Sequence, residues 1–534
     1  MPVTPTFPGI YIQELPSTSH TVTAAPTNIA IFIGYTNPLK TPPGNFNKAV
    51  RIFGPADYQR QFGGPFRSMA FTNAAADFAD MAQAVNQFFL NGGSEAYVVG
   101  LQPQNVSIVG STLTIGALRF TAREITDETF TMTITIRSIN PLASPPTSEV
   151  GDIIVTYGPR SGPGTVTETY RRVSLDHTDT ANYIENRVGT ADNPVSALIT
   201  VEVGSPPGSF SDASAAFPNS LSTASSPQIF DAADFTAVMQ QDSDLDKLAI
   251  FNLMVIPGVI NGLVMNTAVA FCERKRAFLI MDPPLNDSAD GTDPRFPHRI
   301  EDTVAGPSMP HDKNAALYFP YLTSPDPVTG AATNPAGQIN EIPPSPTVAG
   351  VFAATDVSRG VWKAPAGFQA TTRNTTGVVA RGRMTDQRQG VLNPIGVNCL
   401  RDFPNIGTAV FGARTTVTLT DEQWRYVPVR RMALFLEQTF YANLGWVVFE
   451  PNDEPLWAAI RMSLNAFMLG LFRQGAFQGA TPSQAFKVSC DSQTTTQADI
   501  DNGIVNIVVA FAPLKPAEFV IITISQLAGQ TQTS

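Results

Sequence analysis

Residues 248–282 read LAIFNLMVIPGVINGLVMNTAVAFCERKRAFLIMD, and this stretch decides the fold class. Leu248 to Leu253 is a mostly apolar run of the kind buried on both faces of a parallel strand. Val259 to Arg276 carries apolar residues at helical spacing, and Phe278-Leu279-Ile280-Met281 is a second apolar run ending at Asp282. Strand, helix and strand in that order form a crossover unit, which implies parallel sheet.

Working outward, Ala30-Ile31-Phe32-Ile33-Gly34 is another fully apolar strand. Thr72 is placed to cap a helix whose Phe78, Met81, Ala82, Val85, Phe88 and Phe89 share one face. Asn91-Gly92-Gly93 stops that helix, and Ala96 to Val99 resumes as a strand. From about 102 to 227 the texture changes. Thr131 to Ile136, Ile153 to Tyr157 and Ile199 to Val203 read as strands between Pro-rich turns, with no long amphipathic helix. A Pro-rich excursion runs from Pro320 to Pro346, too long for a plain connection. Beyond it, Arg430 to Leu444 reads as a helix and Trp446 to Phe449 as a strand. Asn452 or Asp453 caps a second helix with the stripe Leu456, Ile460, Leu464, Phe467 and Leu471. Ile504 to Phe511 and Phe519 to Ile524 read as two closing strands.

The expected class is α+β multidomain: a mixed α/β core assembled from both chain ends, an inserted β-rich domain, and extended N- and C-terminal strand arms. The expected divisions are an arm at 1–35, core at 36–101, insertion at 102–227, a middle α/β domain at 228–415, a C-terminal domain at 416–512 and an arm at 513–534.

Composition narrows the function. Charged residues are 15% of the chain, below the roughly 25% typical of soluble domains, so much neutral surface must go somewhere. Extensive subunit contact is one destination, since interface cores are depleted in charge; a Ser/Thr/Pro-rich surface is the other. The formal charge of −11, with no Lys/Arg cluster, argues against nucleic acid as a partner. Cys272, Cys399 and Cys490 lie far apart and suggest neither a disulfide framework nor zinc. The start lacks the apolar core of a secretory signal, and no apolar run reaches the ~18 residues of a membrane span, so no stable membrane insertion is expected.

Catalysis finds little support. Phosphate-loop, GxSxG, HExxH and dinucleotide fingerprints are absent. His20, His177, His298 and His311 never fall at metal-ligand spacing, although Glu301 and Asp302 lie between the last two. Asp282, at the carboxyl end of a parallel strand, is the best enzymatic hint; the simpler reading is that Asp282-Pro283-Pro284 turns the chain. The expectation is a non-enzyme with no catalytic residues, metal or cofactor.

Several motifs, in order, resemble the contractile sheath proteins of bacteriophage tails and phage-tail-like injection particles. They are Pro8-Gly9-Ile10-Tyr11-Ile12-Gln13-Glu14; Thr27 to Ala30 with Phe32 to Gly34; Phe88 to Gly93 with Ala96 to Val99; and Val348 to Gly350 with Asp356 and Arg359-Gly360-Val361-Trp362-Lys363-Ala364-Pro365-Ala366. Towards the C-terminus come Tyr426 to Arg431, Val448-Phe449-Glu450-Pro451-Asn452, Gly475 to Gly479, Gly503 to Asn506 and Ala512 to Phe519. Residues 102–227 carry none of the resemblance, as a variable outer decoration would not.

The resemblance implies a homo-oligomer: sixfold rings stacked helically around an inner tube protein, with baseplate and tail-terminator proteins as further partners. It implies assembly in a bacterial cytoplasm into a phage tail or a tail-like particle. Terminal arms add strands to sheets of adjacent subunits; here they are Ile10, Tyr11, Ile12, Gln13 and Glu14, and Phe519, Val520, Ile521, Ile522, Thr523 and Ile524. It also implies a tube-facing helix, here Asp453 to Gln474 with Arg461, Asn465 and Arg473. Arg461 and Arg473 lie about 120° apart on an ideal helix, so they form no single charged stripe. The alternatives are a tail or baseplate component other than the sheath, and a multidomain α/β hydrolase.

Overall fold

The computed structural model describes residues 20–64, 81–103, 108–128, 130–139, 150–160, 165–205, 208–220, 230–307, 309–325, 339–417 and 421–522. The chain divides into two compact bodies, residues 26–430 and a second formed from both termini, residues 431 onwards with the segment before Pro26.

The first body is built on an eight-stranded sheet. From one edge its order is Gly407–Val410, Val397–Phe403, Ala315–Phe319, Phe278–Met281, Leu253–Val255, Ala30–Tyr35, Ala96–Leu101 and Val50–Ile52. The six inner strands are parallel, and the two edge strands run antiparallel to their neighbours. Both faces of the inner strands are buried, as unbroken apolar runs require. One face packs Ile31, Ile33, Met254, Leu279 and Leu317 against Val264, Ala268 and Phe271 of the helix Gly262–Lys275. That helix starts where the Asn261 side chain accepts from Leu263 and Val264 N–H, a cap worth about 1 kcal/mol. On the other face, Phe32 meets Phe88 edge-on at 5.5 Å, and Tyr318 meets Phe352 at 6.0 Å.

Phe88 and Phe352 belong to the helices Met81–Leu90 and Pro344–Arg359, which cross closely. A Cβ on Gly350 would stand 2.6 Å from the Asn91 Cβ and the Phe88 carbonyl oxygen. Gly92, at φ +118°, would meet the Ala354 Cβ at 2.6 Å. Glycine is needed at both positions for these backbones to approach.

Two local expectations shift. The strand read at Leu248 to Leu253 forms instead at Leu253–Val255. Before it, the Asn252 amide ties two segments of the chain together: Oδ1 accepts from Ile29 N–H at 3.0 Å, and Nδ2 donates to the Pro26 carbonyl at 2.8 Å. The excursion from Pro320 to Pro346 contains a hairpin, Leu322–Pro325 with Ile339–Ile342, and then opens the helix Pro344–Arg359. Prolines at 344 and 346 sit in its first turn, where N–H groups have no intrahelical acceptor, so they start the helix rather than break it.

The region after Leu101 forms two antiparallel sheets. Ala213–Ala216, Phe130–Ile139, Val150–Pro159 and Val166–Ser174 make one; Thr112–Ile115, Leu118–Ala122 and Ile199–Val203 make the other. Burial alternates along Phe130–Ile139 and Val150–Pro159 at the strand period, and Phe120, Met132, Ile134, Ile153, Val155 and Val201 share one core.

The second body centres on the helix Glu454–Arg473. Asp453 caps it by accepting from Glu454 N–H at 2.7 Å, and Pro455 lies in its first turn. Leu456, Trp457, Ile460 and Leu464 pack with Cys490 into a small core, with Val488 and Val509 against it. Phe486–Ser489 pairs antiparallel with Val508–Phe511. The N-terminal segment joins this body: Thr23 and Asn443 exchange hydrogen bonds at 2.9 and 2.8 Å, and His20 stacks on Trp446 at 3.8 Å.

Candidate assembly surfaces

A parallel sheet ordinarily holds ligands at the carboxyl ends of its strands. Asp282 lies there, buried. Its Oδ2 accepts from Gly258 N–H at 2.9 Å and from the Ser345 hydroxyl at 2.6 Å, while Oδ1 accepts from Ser345 N–H at 2.7 Å. Ser345 sits in the first turn of the helix Pro344–Arg359, so the carboxylate satisfies an N-terminal donor that the helix cannot. Burial pushes the Asp282 carboxyl up to about 6, with the three donors pulling the other way. The group is structural: it ties a strand end, a turn and a helix start together.

The loop with His298 and His311 is equally committed. Glu301 pairs with Arg388, Asp302 with Arg299 at 3.3 Å, and the His311 ring nitrogens face the Thr416 and Val304 carbonyls at 3.1 Å. Among the described residues no three His, Cys, Asp or Glu side chains gather as metal ligands. Cys272, Cys399 and Cys490 are buried free thiols.

The second body carries the unfinished surfaces. The Phe486–Ser489 and Val508–Phe511 ladder has two strands, and among the described residues neither strand has a second partner. A two-stranded ribbon alone is marginal in water and needs a further strand or a helix against it. Here Val488 and Val509 pack towards the helix Glu454–Arg473, and the outer edge of each strand takes no further strand among the described residues. Beyond this ladder comes an apolar segment at residues 519–522. Phe519, Val520, Ile521 and Ile522 are 74%, 81%, 90% and 78% exposed and belong to no ladder, where the sequence predicts a strand over Phe519 to Ile524. The β-prone side chains are present, but among the described residues Phe519 to Ile522 pair with no strand. Thr523 and Ile524, and Ile10 to Glu14 of the other arm, lie outside the described residues.

On the helix Glu454–Arg473, Arg461 is held by its own body, donating to the Cys490 carbonyl and to Glu454 at 2.5 Å. Asn465 and Arg473 are exposed. Beside Asn465 the open side is apolar, with Met462 67% exposed and Ala466 also in solvent. The helix is long and apolar enough to cross a membrane by length and composition. Its buried Leu456, Trp457, Ile460, Leu464, Met468 and Leu471 make it the core helix of this body.

A further feature escapes the sequence reading. Trp446 to Phe449, read as a strand, is a short 3-10 turn at Gly445–Val447 followed by two extruded residues. Phe449 is fully exposed with φ +72°, a left-handed conformation costly for a bulky side chain. The apolar run reads like a buried strand, but among the described residues no neighbouring strand receives it.

Residues 420–526 match the family model of the phage tail sheath C-terminal domain. Over that stretch the chain is similar to the tail sheath family. The tail sheath protein of Vibrio phage KVP40 is 27% identical over 194 residues, an alignment spanning 36% of this chain and 27% of that protein. Among solved structures, the contracted helical sheath of the anti-feeding prophage is 22% identical with a TM-score of 0.56, covering 98% of this chain and 100% of that one. The contracted sheath of an extracellular contractile injection system is 21% identical with the same TM-score, covering 98% of each chain. A sheath tail protein from Desulfitobacterium hafniense, 13% identical with a TM-score of 0.55, covers 95% and 100%. These likenesses give the present chain the sheath fold along almost its whole length, residues without recognisable motifs included.

Proposed function

We propose that this protein is the structural subunit of a contractile tail sheath. It polymerises as a helical array around an inner tube and contracts to drive that tube through a target envelope. The observation that carries this reading is the pairing of an unfilled two-stranded ladder with an apolar, unladdered tail in one body. A tail that meets no sheet of its own and a sheet short of strands are complementary between copies. Adding a strand gains main-chain hydrogen bonds and pockets for alternate side chains. Because donor and acceptor are different surfaces, the contact is head-to-tail and propagates into an open filament rather than closing as a dimer.

In this reading the amino-terminal arm, Ile10 to Glu14, is the second donated strand, tethered by the segment that Thr23 and His20 anchor to the second body. The exposed side of the helix Glu454–Arg473, with Met462, Asn465 and Ala466, faces the inner tube. Sixfold rings, a baseplate at one end and a terminator at the other complete the particle, a phage tail or its injection counterpart built in the bacterial cytoplasm. The role is mechanical, without catalysis: subunits move as rigid bodies on their strand hinges, and a few kcal/mol per copy sums over the array.

Electron microscopy of the purified protein tests the reading. Long ribbed tubes are the expected result; discs or spikes would place the chain elsewhere in a tail, and a persistent monomer would contradict the proposal.

A further inference from the structure

The first body contains a cationic cleft with no acidic side chain in its lining among the described residues. Its volume is about 140 Å³, and it lies between the end of the helix Met81–Leu90, the helix Pro344–Arg359 and the loop that follows. Arg359, Lys363 and Arg373 line it together with Gln369, Ser358 and Thr371; no acidic side chain does. Among the described residues none of these three cations is in an ion pair, whereas Arg299, Arg381, Arg388 and Arg401 nearby in sequence all are.

They are held instead by neutral acceptors. Arg359 Nη1 donates to Gln369 Oε1 at 3.1 Å, and Lys363 Nζ donates to the Ala364 carbonyl at 2.7 Å. Arg373 is fixed through its main chain, its N–H donating to Asn91 Oδ1 at 2.7 Å. Burial and the neighbouring Arg359 both lower the Lys363 pKa, so its charge is held at a cost that an anion would relieve. Next to these residues in sequence stand two exposed apolar side chains, Val357 at 75% and Phe368 at 57%. Phe368 has one face on Phe403 and Phe411.

The second body presents the opposite chemistry on the turn after Gly445–Val447. Phe449 and Val448 stand in solvent, followed by Glu450 and Asp453. Among the described residues the Glu450 carboxylate makes no ion pair. The turn is rigid: Glu450 N–H donates to the Val447 carbonyl at 3.2 Å, and Asn452 Nδ2 donates to the Ile504 carbonyl at 2.9 Å. Asn452 Oδ1 accepts from Trp457 Nε1 at 2.9 Å. A strained, fully exposed aromatic on a rigid acidic turn is preorganised to bind, since little freedom remains to be lost.

We propose that this turn is a plug for the cationic cleft of another copy of the chain. Glu450 and Asp453 meet Arg359, Lys363 and Arg373, while Phe449 covers Phe368 and Val357. Copies that each carry a formal charge of −11 repel one another, so a local contact of opposite sign fixes register as well as adding attraction. The inference rests on the sheath reading, because it needs an assembly of copies.

Charge reversal tests it in the full chain. Glu450→Lys and Lys363→Glu, made singly, are each expected to cut tube mass about tenfold, and the two together in one chain to restore most of it. Arg359→Glu, at an exposed position, replaces Lys363→Glu if that variant melts early. Single reversals without effect, or a combined variant no better than either, would overturn the plug. Loss with Lys363→Glu but not with Glu450→Lys would also overturn it, pointing to a free anion such as phosphate in the cleft. If the wild type forms discs, the sheath reading falls while the same reversal pattern, scored on discs, still decides the plug. A wild type that stays monomeric at high concentration overturns both.

Discussion

A chain ending at Glu518 is expected to stay folded and to form no tube. Residues 519–522 are exposed and outside every ladder, so removing them takes nothing from either core. Its melting should match that of the full chain within about 0.5 kcal/mol, the usual range for surface changes. The association step is different. A donated strand contributes about 1 kcal/mol net for each main-chain hydrogen bond, so a strand of this length supplies a few kcal/mol per contact. Losing that lowers each contact's association constant roughly a hundredfold or more. In a helical array every copy donates and every copy receives, so no ring is spared. Sedimentation and negative-stain microscopy should show monomer at concentrations where the full chain makes tubes. Normal tubes from the truncation would contradict the strand-donor account.

The second large effect concerns Asp282. Asp282→Ala leaves Gly258 N–H, Ser345 N–H and the Ser345 hydroxyl without their shared acceptor in a buried place. At roughly 1–3 kcal/mol for each unsatisfied buried group, less the relief of no longer burying a carboxylate, the net loss should be about 2–5 kcal/mol. Its pH dependence has a definite sign. The folded carboxyl titrates at about 6, above the 3.8 of an unstrained aspartate. Protons therefore bind the folded state more tightly, and the stability they supply is complete below about pH 4 and lost as pH rises through about 6. The gap between wild type and Asp282→Ala should accordingly be wider at pH 4 than at pH 7, by an amount on the order of 2–3 kcal/mol. Urea unfolding of both proteins at the two pH values measures this; a gap that is equal or wider at pH 7 would show that the carboxylate is not held as described.

The parallel core was legible because its strands are buried on both faces, which leaves apolar runs such as Phe278 to Met281 that read in only one way. The helix Glu454–Arg473 was legible for a related reason: Asp453 caps it, Pro455 opens it, and Leu456, Ile460 and Leu464 recur at its period. The helix Pro344–Arg359 was not. Its prolines look like loop until their place in the first turn is known, and its inward side chains include Thr347, Ala349 and Gly350, whose small size lets another helix cross but weakens any periodic signal. Val166–Ser174 also escaped, since its threonines, glutamate and arginines describe a strand with an exposed face rather than a buried one.

The candidate surfaces were legible in part. The apolar tail at Phe519 to Ile522 stands out in sequence, but apolarity alone says strand, not whose sheet the strand completes. Phe449 shows the same ambiguity more sharply, because Trp446 to Phe449 has the composition of a core strand and only three-dimensional placement puts its last residue in solvent. Arg359 and Lys363 lie in a recognisable motif, yet Arg373, which lines the same cleft, lies outside it and comes close only through the fold.

The most direct measurement is a reconstruction of the assembled particle by cryo-electron microscopy, with density traced through residue 524. The account predicts that Phe519 to Ile524 of each copy lies as a strand beside the Phe486–Ser489 and Val508–Phe511 ladder of a neighbouring copy. Density that leads each tail back onto the ladder of its own chain would contradict it.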